Sequence, residues 1–451
     1  MLDLSKINTD TGVRLLTNKM AGSTELNNSW GSLGSVLKAT LYEGFNEKIM
    51  KNLSLDAETK LITVTLDLGH GYSYNQVVRL SGIDPSLDGD YRIVDLIFNS
   101  IVIYYKGDSS QIPVKLFEDP LDESCKIKVS PLGYDLLYDD FNLSGQLVFK
   151  NKCEKSPAVL KIIDAIPPNA YTTTWAKFAR IVVGRDMVDI NNFTNNEKVP
   201  FVPDFPNPEL TGNGVKGSAG IHGFAKWYYS AVKGHTFTET GVPNRIYPTD
   251  WRIIGDDKTF YLFVKTQGLD YSWFNLYSFG NSVSNREQDS DNIILHASFR
   301  WKTASASTGS YTYSSGDNTF TKMSSSESCC LFKSSLGSYT QNFLGSHFGL
   351  DSGGTAAERD YPSLNTKNIS GISSNTGQFL LSPLYIKDST LEYRGQLRGI
   401  TQFYGVGQIK ELTYFDGDSV VLSAEGYYNS SNYSDNNKIP YLFSFKDWEY
   451  V

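Results

Sequence analysis

Short alternating apolar patterns dominate this chain, and helical periodicity is scarce. In Leu61–Leu68, Ile62, Val64, Leu66 and Leu68 alternate with Thr63, Thr65 and Asp67. That period of two predicts a half-buried strand. Gln76–Leu80 predicts a second strand. Tyr91–Phe98 and Ile101–Tyr105 flank Asn99-Ser100 as a hairpin, and Asp88-Gly89 marks a turn before it. Further on, strands are predicted at Gln146–Lys150, Val159–Ile166 and Ile293–Trp301. Others fall at Gln378–Ile386, Gly395–Phe403, Ser419–Ala424 and Pro440–Phe445. The clearest hairpin joins Trp251–Ile254 to Thr259–Val264 through Gly255-Asp256-Asp257. Ile181-Val182-Val183, inside Trp175–Ile190, has no polar alternation and predicts a buried strand. One helix stands out, Ser32–Phe45. Its Leu33, Val36, Leu37, Leu41 and Phe45 form a single stripe, with Ser32 as N-cap and Gly44 near the end.

The implied fold is mainly β: a small N-terminal β domain preceded by a helix, then a larger, β-rich, sandwich-like region with few helices. The expected boundaries are 1–50 for an arm and helix, 51–130 for the small β domain and 131–451 for the large region. The large region is divisible into two subdomains, with a long Pro/Gly-rich loop at 191–220 and a Ser-rich exposed loop at 302–328. Strands and helices do not alternate, which argues against doubly wound and TIM-type folds. No period repeats, so solenoids and propellers are not supported.

Composition narrows the function classes. The chain has 451 residues, of which 13% are aromatic and 20% charged, so disorder is excluded. The net charge of −8 argues against a general nucleic-acid binder. The N-terminus lacks the basic-then-apolar order of a secretory signal, and no apolar run reaches the ~18 residues of a membrane span. Synthesis in a cytoplasm and no membrane insertion are the expectations. The four cysteines, Cys125, Cys153, Cys329 and Cys330, have no C-x-x-C spacing and read as small apolar residues.

Candidate chemistry is thin. Gly212-Asn213-Gly214-Val215-Lys216-Gly217 matches G-x-G-x-x-G, but no buried strand precedes it, so it reads as a loop. Asp351-Ser352-Gly353-Gly354 resembles a serine-nucleophile stretch. None of the five histidines, His70, His222, His235, His296 and His347, sits in a signature that would supply its base. Asp289 with Asp291, and Asp416-Gly417-Asp418, read as acidic turns, with too few oxygen ligands for a calcium loop. Asp139-Asp140 and Asp256-Asp257 are neighbours, so along a strand their side chains diverge and do not form an acid–base couple. Lys106-Gly107-Asp108, similar to an adhesion tripeptide, reads as a turn. No catalytic residue, cofactor or metal site is assigned. Two aromatic groups could contact a ligand or a subunit: Trp227, Tyr228 and Tyr229, then Trp273, Phe274 and Tyr277. Core packing is the default for any one of them.

Several ordered motifs resemble a family of tailed-bacteriophage virion proteins. Met20-Ala21-Gly22 precedes Gly31-Ser32-Leu33-Gly34-Ser35-Val36-Leu37 and Glu43-Gly44-Phe45. Leu80 to Val94, with Gly82, Pro85, Leu87, Gly89, Arg92 and Val94, matches the family's Gly–Pro–Leu–Gly–Arg run. Val129 to Tyr134, Ala179 to Gly184, Trp251 to Leu262, Tyr277 to Gly280, Leu380 to Ile386 and Arg394 to Ile400 continue the series. These are turn and strand motifs. The resemblance implies a non-enzymatic structural component of a phage tail: a ring, outer tail sheath or baseplate-like collar around the tail tube. It would be made in the host bacterial cytoplasm and carried in the virion. The implied partners are copies of itself in a homo-oligomeric ring and other tail proteins. The alternative is a host receptor- or glycan-binding tail protein serving host attachment, with a surface receptor or polysaccharide as partner. A tailspike-type depolymerase is weaker still, since no β-helical repeat is found.

Overall fold

The computed structural model describes residues 8–108, 112–118, 120–166, 177–194, 198–199, 225–230, 248–265, 274–284 and 293–296. Beyond these it describes 298–299, 302–304, 311–313, 328–333, 339–344, 346–348, 379–387, 393–405, 412–415, 418–425, 438–446 and 448. The fold is mainly β with few helices, and among the described residues four seven-stranded antiparallel sheets carry it.

The small sheet runs in the order Phe45–Ile49, Lys126–Val129, Val77–Ser81, Gly89–Ile97, Ser100–Tyr104, Leu61–Thr65, Asn52–Asp56. Its first strand lies upstream of residue 51. In Leu61–Thr65 the buried positions are Ile62 and Val64, as the alternation requires. The predicted hairpin closes with Ile97 opposite Ser100.

The central sheet begins with the N-terminal arm itself: Arg14–Thr17 pairs with Trp251–Gly255, followed by Thr259–Val264, Asn275–Asn281 and Ile293–His296. A flanking sheet contains Asp135–Asp140, Gln146–Lys150, Val159–Ile163, Phe178–Gly184 and Ala225–Tyr228. A C-terminal sheet contains Phe379–Lys387, Tyr393–Gly405, Ser419–Glu425 and Lys438–Ser444. The central sheet is packed on both faces. Ile253, Phe260, Leu262 and Phe279 join a core with Phe149, Leu160, Ile181 and Trp227 of the flanking sheet. Ile254, Tyr261, Phe263 and Leu276 join a second core with Val420, Leu422 and Phe443 of the C-terminal sheet. That is why all six residues of Thr259–Val264 are buried and the sequence there does not alternate.

Three expectations change. The helix is shorter than its stripe: an α-helix over Ser32–Lys38 passes into a π-turn over Ala39–Glu43, and Phe45 already belongs to a strand. Chain 132–134 ends it: Leu132 N–H donates to the Thr40 carbonyl, and the N–H groups of Gly133 and Tyr134 donate to that of Leu41. Gly44 then turns out at φ +79°, a conformation glycine adopts without strain. Ser32 is not the N-cap. Its hydroxyl faces the preceding loop, where it accepts from Asn27 N at 2.7 Å. The cap is supplied from afar by Asp164, whose Oδ2 accepts from Gly34 N at 2.9 Å. Within the expected loop 302–328, Lys302–Ala304 and Tyr311–Tyr313 pair as a two-stranded antiparallel sheet, with Lys302 opposite Tyr313. Of the loop expected at 191–220, Lys198–Val199 forms a strand on Phe178–Gly184, and 200–220 lies outside the described residues.

Candidate functional site

The aromatic residues singled out from the sequence are core side chains. Trp227, Tyr228, Tyr229 and Tyr277 are fully buried, and Phe274 nearly so. Trp273 lies outside the described residues. Trp227 stacks on Tyr277 with ring centroids 5.8 Å apart, and its indole N–H donates to the His296 carbonyl at 3.0 Å. The Tyr277 hydroxyl accepts from Tyr228 N at 2.9 Å and donates to Tyr228 O at 3.1 Å. Tyr229 reaches Asp164 at 2.7 Å. Phe274 lies under the Arg252 guanidinium, 4.3 Å from the ring centroid. A reading of these five as a free ligand surface is therefore corrected: Trp227, Tyr229 and Tyr277 lie in the core shared by the flanking and central sheets, Phe274 lies in the core between the central and C-terminal sheets, and Tyr228 lies in a separate core of the flanking sheet. Polar tips on large rings meet a buried junction's needs, because the Trp227 N–H and the Tyr229 and Tyr277 hydroxyls each find a carbonyl or carboxylate.

The acidic pairs are likewise engaged by their own chain. Asp139 binds Lys38 at 2.8 Å, and this holds its carboxyl below the usual range. Asp140 accepts from the Ser144 hydroxyl. Asp256 accepts from Lys258 N and Thr259 N at 2.8 and 2.7 Å and faces Arg398 at 3.4 Å. Burial pushes the carboxyls of Asp256 and Asp164 upward. Both are enclosed and bonded internally. The motifs at 212–217 and 351–354, and the acidic pair at 289 and 291, lie outside the described residues. Thr413–Phe415 pairs antiparallel with Ser419–Glu425, and Asp416-Gly417 of the expected acidic turn lies outside the described residues. Among the described residues, no three His, Cys, Asp or Glu side chains gather as a metal site, and no helix is long and apolar enough to cross a membrane. Cys125 and Cys153 are buried.

Two surface features gather on the small β sheet, and the sequence motifs did not single out either. The first is an apolar tip. Phe98, Leu68 and Ile97 are 86%, 69% and 52% exposed. Leu66 N donates to Asn99 O at 2.9 Å, which sets the chain toward Leu68 beside the 97–100 turn. Phe98 stands at φ +39°, a region unfavourable for a bulky residue and usually filled by Gly or Asn in such a turn. His70 supports the tip. Its ring stacks on Tyr72, its Nδ1 accepts from Tyr72 N at 3.0 Å, and it bonds the Phe98 backbone. Burial lowers its pKa.

The second is the seam between the arm and the sheet. Asp90 accepts two bonds from Arg79, at 2.8 and 2.9 Å, one from Arg14 at 2.8 Å and one from the Ser130 hydroxyl at 2.7 Å. Burial alone would raise this carboxyl, but the two guanidiniums and the hydroxyl outweigh it and hold it below the ordinary value. Arg92 donates to Val13 O at 2.7 Å and to Asn75 O at 2.8 Å, and also to Asp10 O. Burial lowers its pKa to about 10. The arm is thus fastened at one end to the small sheet and at the other, through Arg14–Thr17, to the central sheet. Beside this seam opens a cleft of about 270 Å³, lined by arm residues Thr9 and Thr11 and by Ser86, Tyr91, Tyr104 and Tyr105 among others.

No family model matches the sequence, and no curated protein matches it. Among solved structures, the phage phi92 endosialidase is similar at 7% identity and a TM-score of 0.14, over 90% of this chain and 52% of that one. The chain thus spans about half of that protein's length, and a likeness at this score establishes neither fold nor activity here.

Proposed function

We propose that the chain is a structural, non-enzymatic component of a bacteriophage tail, repeated around the tail tube as a ring, outer sheath or baseplate-like collar. The ordered turn and strand motifs from Met20 to Ile400 support the tail context. The observation that carries the assembly reading is the tip at Leu68, Ile97 and Phe98. Ile97 and Phe98 are exposed at a turn whose backbone at Phe98 suits a smaller residue, and Leu68 is exposed two residues beyond Leu66, which bonds that turn. Monomeric proteins rarely keep such a patch without a use for it, and backbone strain persists where the surroundings or a function maintain it. In this reading the tip docks on a neighbouring copy of the same chain. The internal engagement of Asp139, Asp140, Asp164 and Asp256 fits a protein that makes and breaks no covalent bond.

The test is particle composition together with one substitution. Purified virions are digested and their peptides counted by mass spectrometry, and the tail is imaged by electron microscopy. The expected result is this chain present in multiple copies, with Phe98→Ser at least tenfold less incorporated while remaining folded. A chain missing from the virion, or one that turns over a substrate as a purified monomer, rejects the proposal.

A further inference from the structure

We propose that the cleft between the N-terminal arm and the small β sheet is a saccharide-binding site that takes one neutral hexopyranose unit. This goes beyond the structural role and does not depend on it. Its walls come from three parts of the chain: the arm at Thr9 and Thr11, the 86–91 turn, and the end of strand Ser100–Tyr104 with its continuation to Gly107. The volume, about 270 Å³, suits a single sugar ring rather than a large cofactor.

The lining is matched to that ligand. Tyr104, partly exposed, offers an aromatic side chain for the C–H face of a pyranose, Thr9 and Thr11 supply hydroxyls that both donate and accept, and the Ser86 hydroxyl, which donates to Asp84, supplies an acceptor. An apolar ligand would strip water from these hydroxyls with no replacement bonds. A multiply charged anion finds little to hold it. Asp90 already engages Arg14 and Arg79, which leaves Lys106 as the cation in the lining, and Lys106 is solvent-exposed. A neutral polyol meets the lining without unpaired charge.

The site is also ordered in advance, which lowers the entropy cost of binding. The Tyr91 hydroxyl donates to Leu87 O at 3.0 Å. The Asp88 carboxylate gathers the N–H groups of Gly82 and Ile83 at 3.1 and 3.0 Å, while Asp84 accepts from the Ser86 hydroxyl at 2.7 Å, so the 82–91 turn is fixed. Gly107 packs against the Tyr105 hydroxyl so closely that a Cβ there would lie 2.4 Å from it. Arg92 and Arg14 pin the arm that forms the opposite wall.

The experiment uses the full chain with methyl β-D-glucopyranoside, methyl β-D-galactopyranoside and methyl N-acetyl-β-D-glucosaminide as probes, read by saturation-transfer NMR and then titrated. Saturation transfer to at least one glycoside is expected. Tyr104→Ala should weaken it about tenfold and Thr11→Val by a smaller factor, while Tyr42→Ala, an exposed tyrosine outside the cleft lining, should bind like the wild type. Thermal unfolding of each variant guards against misfolding, and Thr11→Val, close to isosteric, keeps the test alive if Tyr104→Ala is unstable. No transfer from any of the three glycosides, or undiminished binding by both cleft variants, overturns the inference. Either result leaves the particle-composition test of the structural role untouched.

Discussion

The central and small sheets are both seven-stranded and antiparallel, yet they are built for different ends. Thr259–Val264 of the central sheet is buried at every position, between the flanking sheet on one side and the C-terminal sheet on the other. Leu61–Thr65 of the small sheet buries alternate positions and leaves the others partly open. The central stack is where apolar area leaves water, so most of the stability should reside there. The small sheet carries what a neighbour or ligand can reach: the tip at Phe98 and the cleft beside Asp90. A scaffold that is closed on both faces can hold a one-sided layer at its margin, and the fastening is the N-terminal arm.

Four substitutions can break or sharpen that contrast. Trp227→Ala strikes the aromatic junction and should lower unfolding free energy by about 3–5 kcal/mol in urea titration. A cost below about 1 kcal/mol would mean that the stack is not the stabilising layer. Asp90→Asn leaves Arg14 and Arg79 without their shared carboxylate. Because the Asp90 side chain retains some exposure, about 2 kcal/mol is expected rather than the full cost of a buried orphan charge. The pH dependence has a definite sign. The Asp90 carboxyl lies lower folded than unfolded, so its stabilisation is complete above about pH 4, the unfolded value, and is lost as pH falls through the folded value. The wild type should therefore lose more stability on acidification than Asp90→Asn. Equal losses would remove Asp90 from the seam.

Phe98→Gly should act in the opposite direction on the isolated chain. It relieves the positive φ and is expected to leave stability unchanged or raise it by up to about 1 kcal/mol, although assembly should fall. Destabilisation by more than about 1 kcal/mol would make Phe98 a packing residue and weaken the assembly reading. The smallest effect belongs to His70. Its folded pKa is lowered, so the unfolded chain takes up the proton first, and the histidine's contribution is complete above about pH 6.5 and declines below it. A urea midpoint that drops modestly from pH 7.5 to 5.5, with the drop flattened in His70→Gln, is the expected result. An unchanged slope in the variant would exclude His70 as its source.

Local pattern made much of this legible. The 61–65 strand follows from alternation, because a strand with one wet face must write a period of two into its side chains, and the hairpins at 91–105 and 251–264 follow from their turn residues. The absence of alternation in 181–183 signalled burial without saying what covered it, and the burial of 259–264 on both faces became plain only in the structure. The helix stripe was readable, but its end was not. Backbone from 132–134 meets the carbonyls of Thr40 and Leu41 there, nearly a hundred residues away in sequence. Trp227, Tyr228, Tyr229, Phe274 and Tyr277 illustrate the same divide. Their size suits a core or an open surface equally, and only the packing of the sheets and loops around each decides which.

By itself the sequence determined that the chain is a mainly β protein, where its principal turns fall and which short segments have a wet side. Those properties rest on contacts between residues a few positions apart, and composition and spacing record them. Which faces meet, that Asp164 caps a distant helix, that Arg14 and Arg79 share Asp90, and that the arm and the small sheet enclose a cleft were decided only by the tertiary structure. Such pairings join residues tens to hundreds of positions apart, and their energy depends on geometry and exclusion of water, which no local pattern encodes.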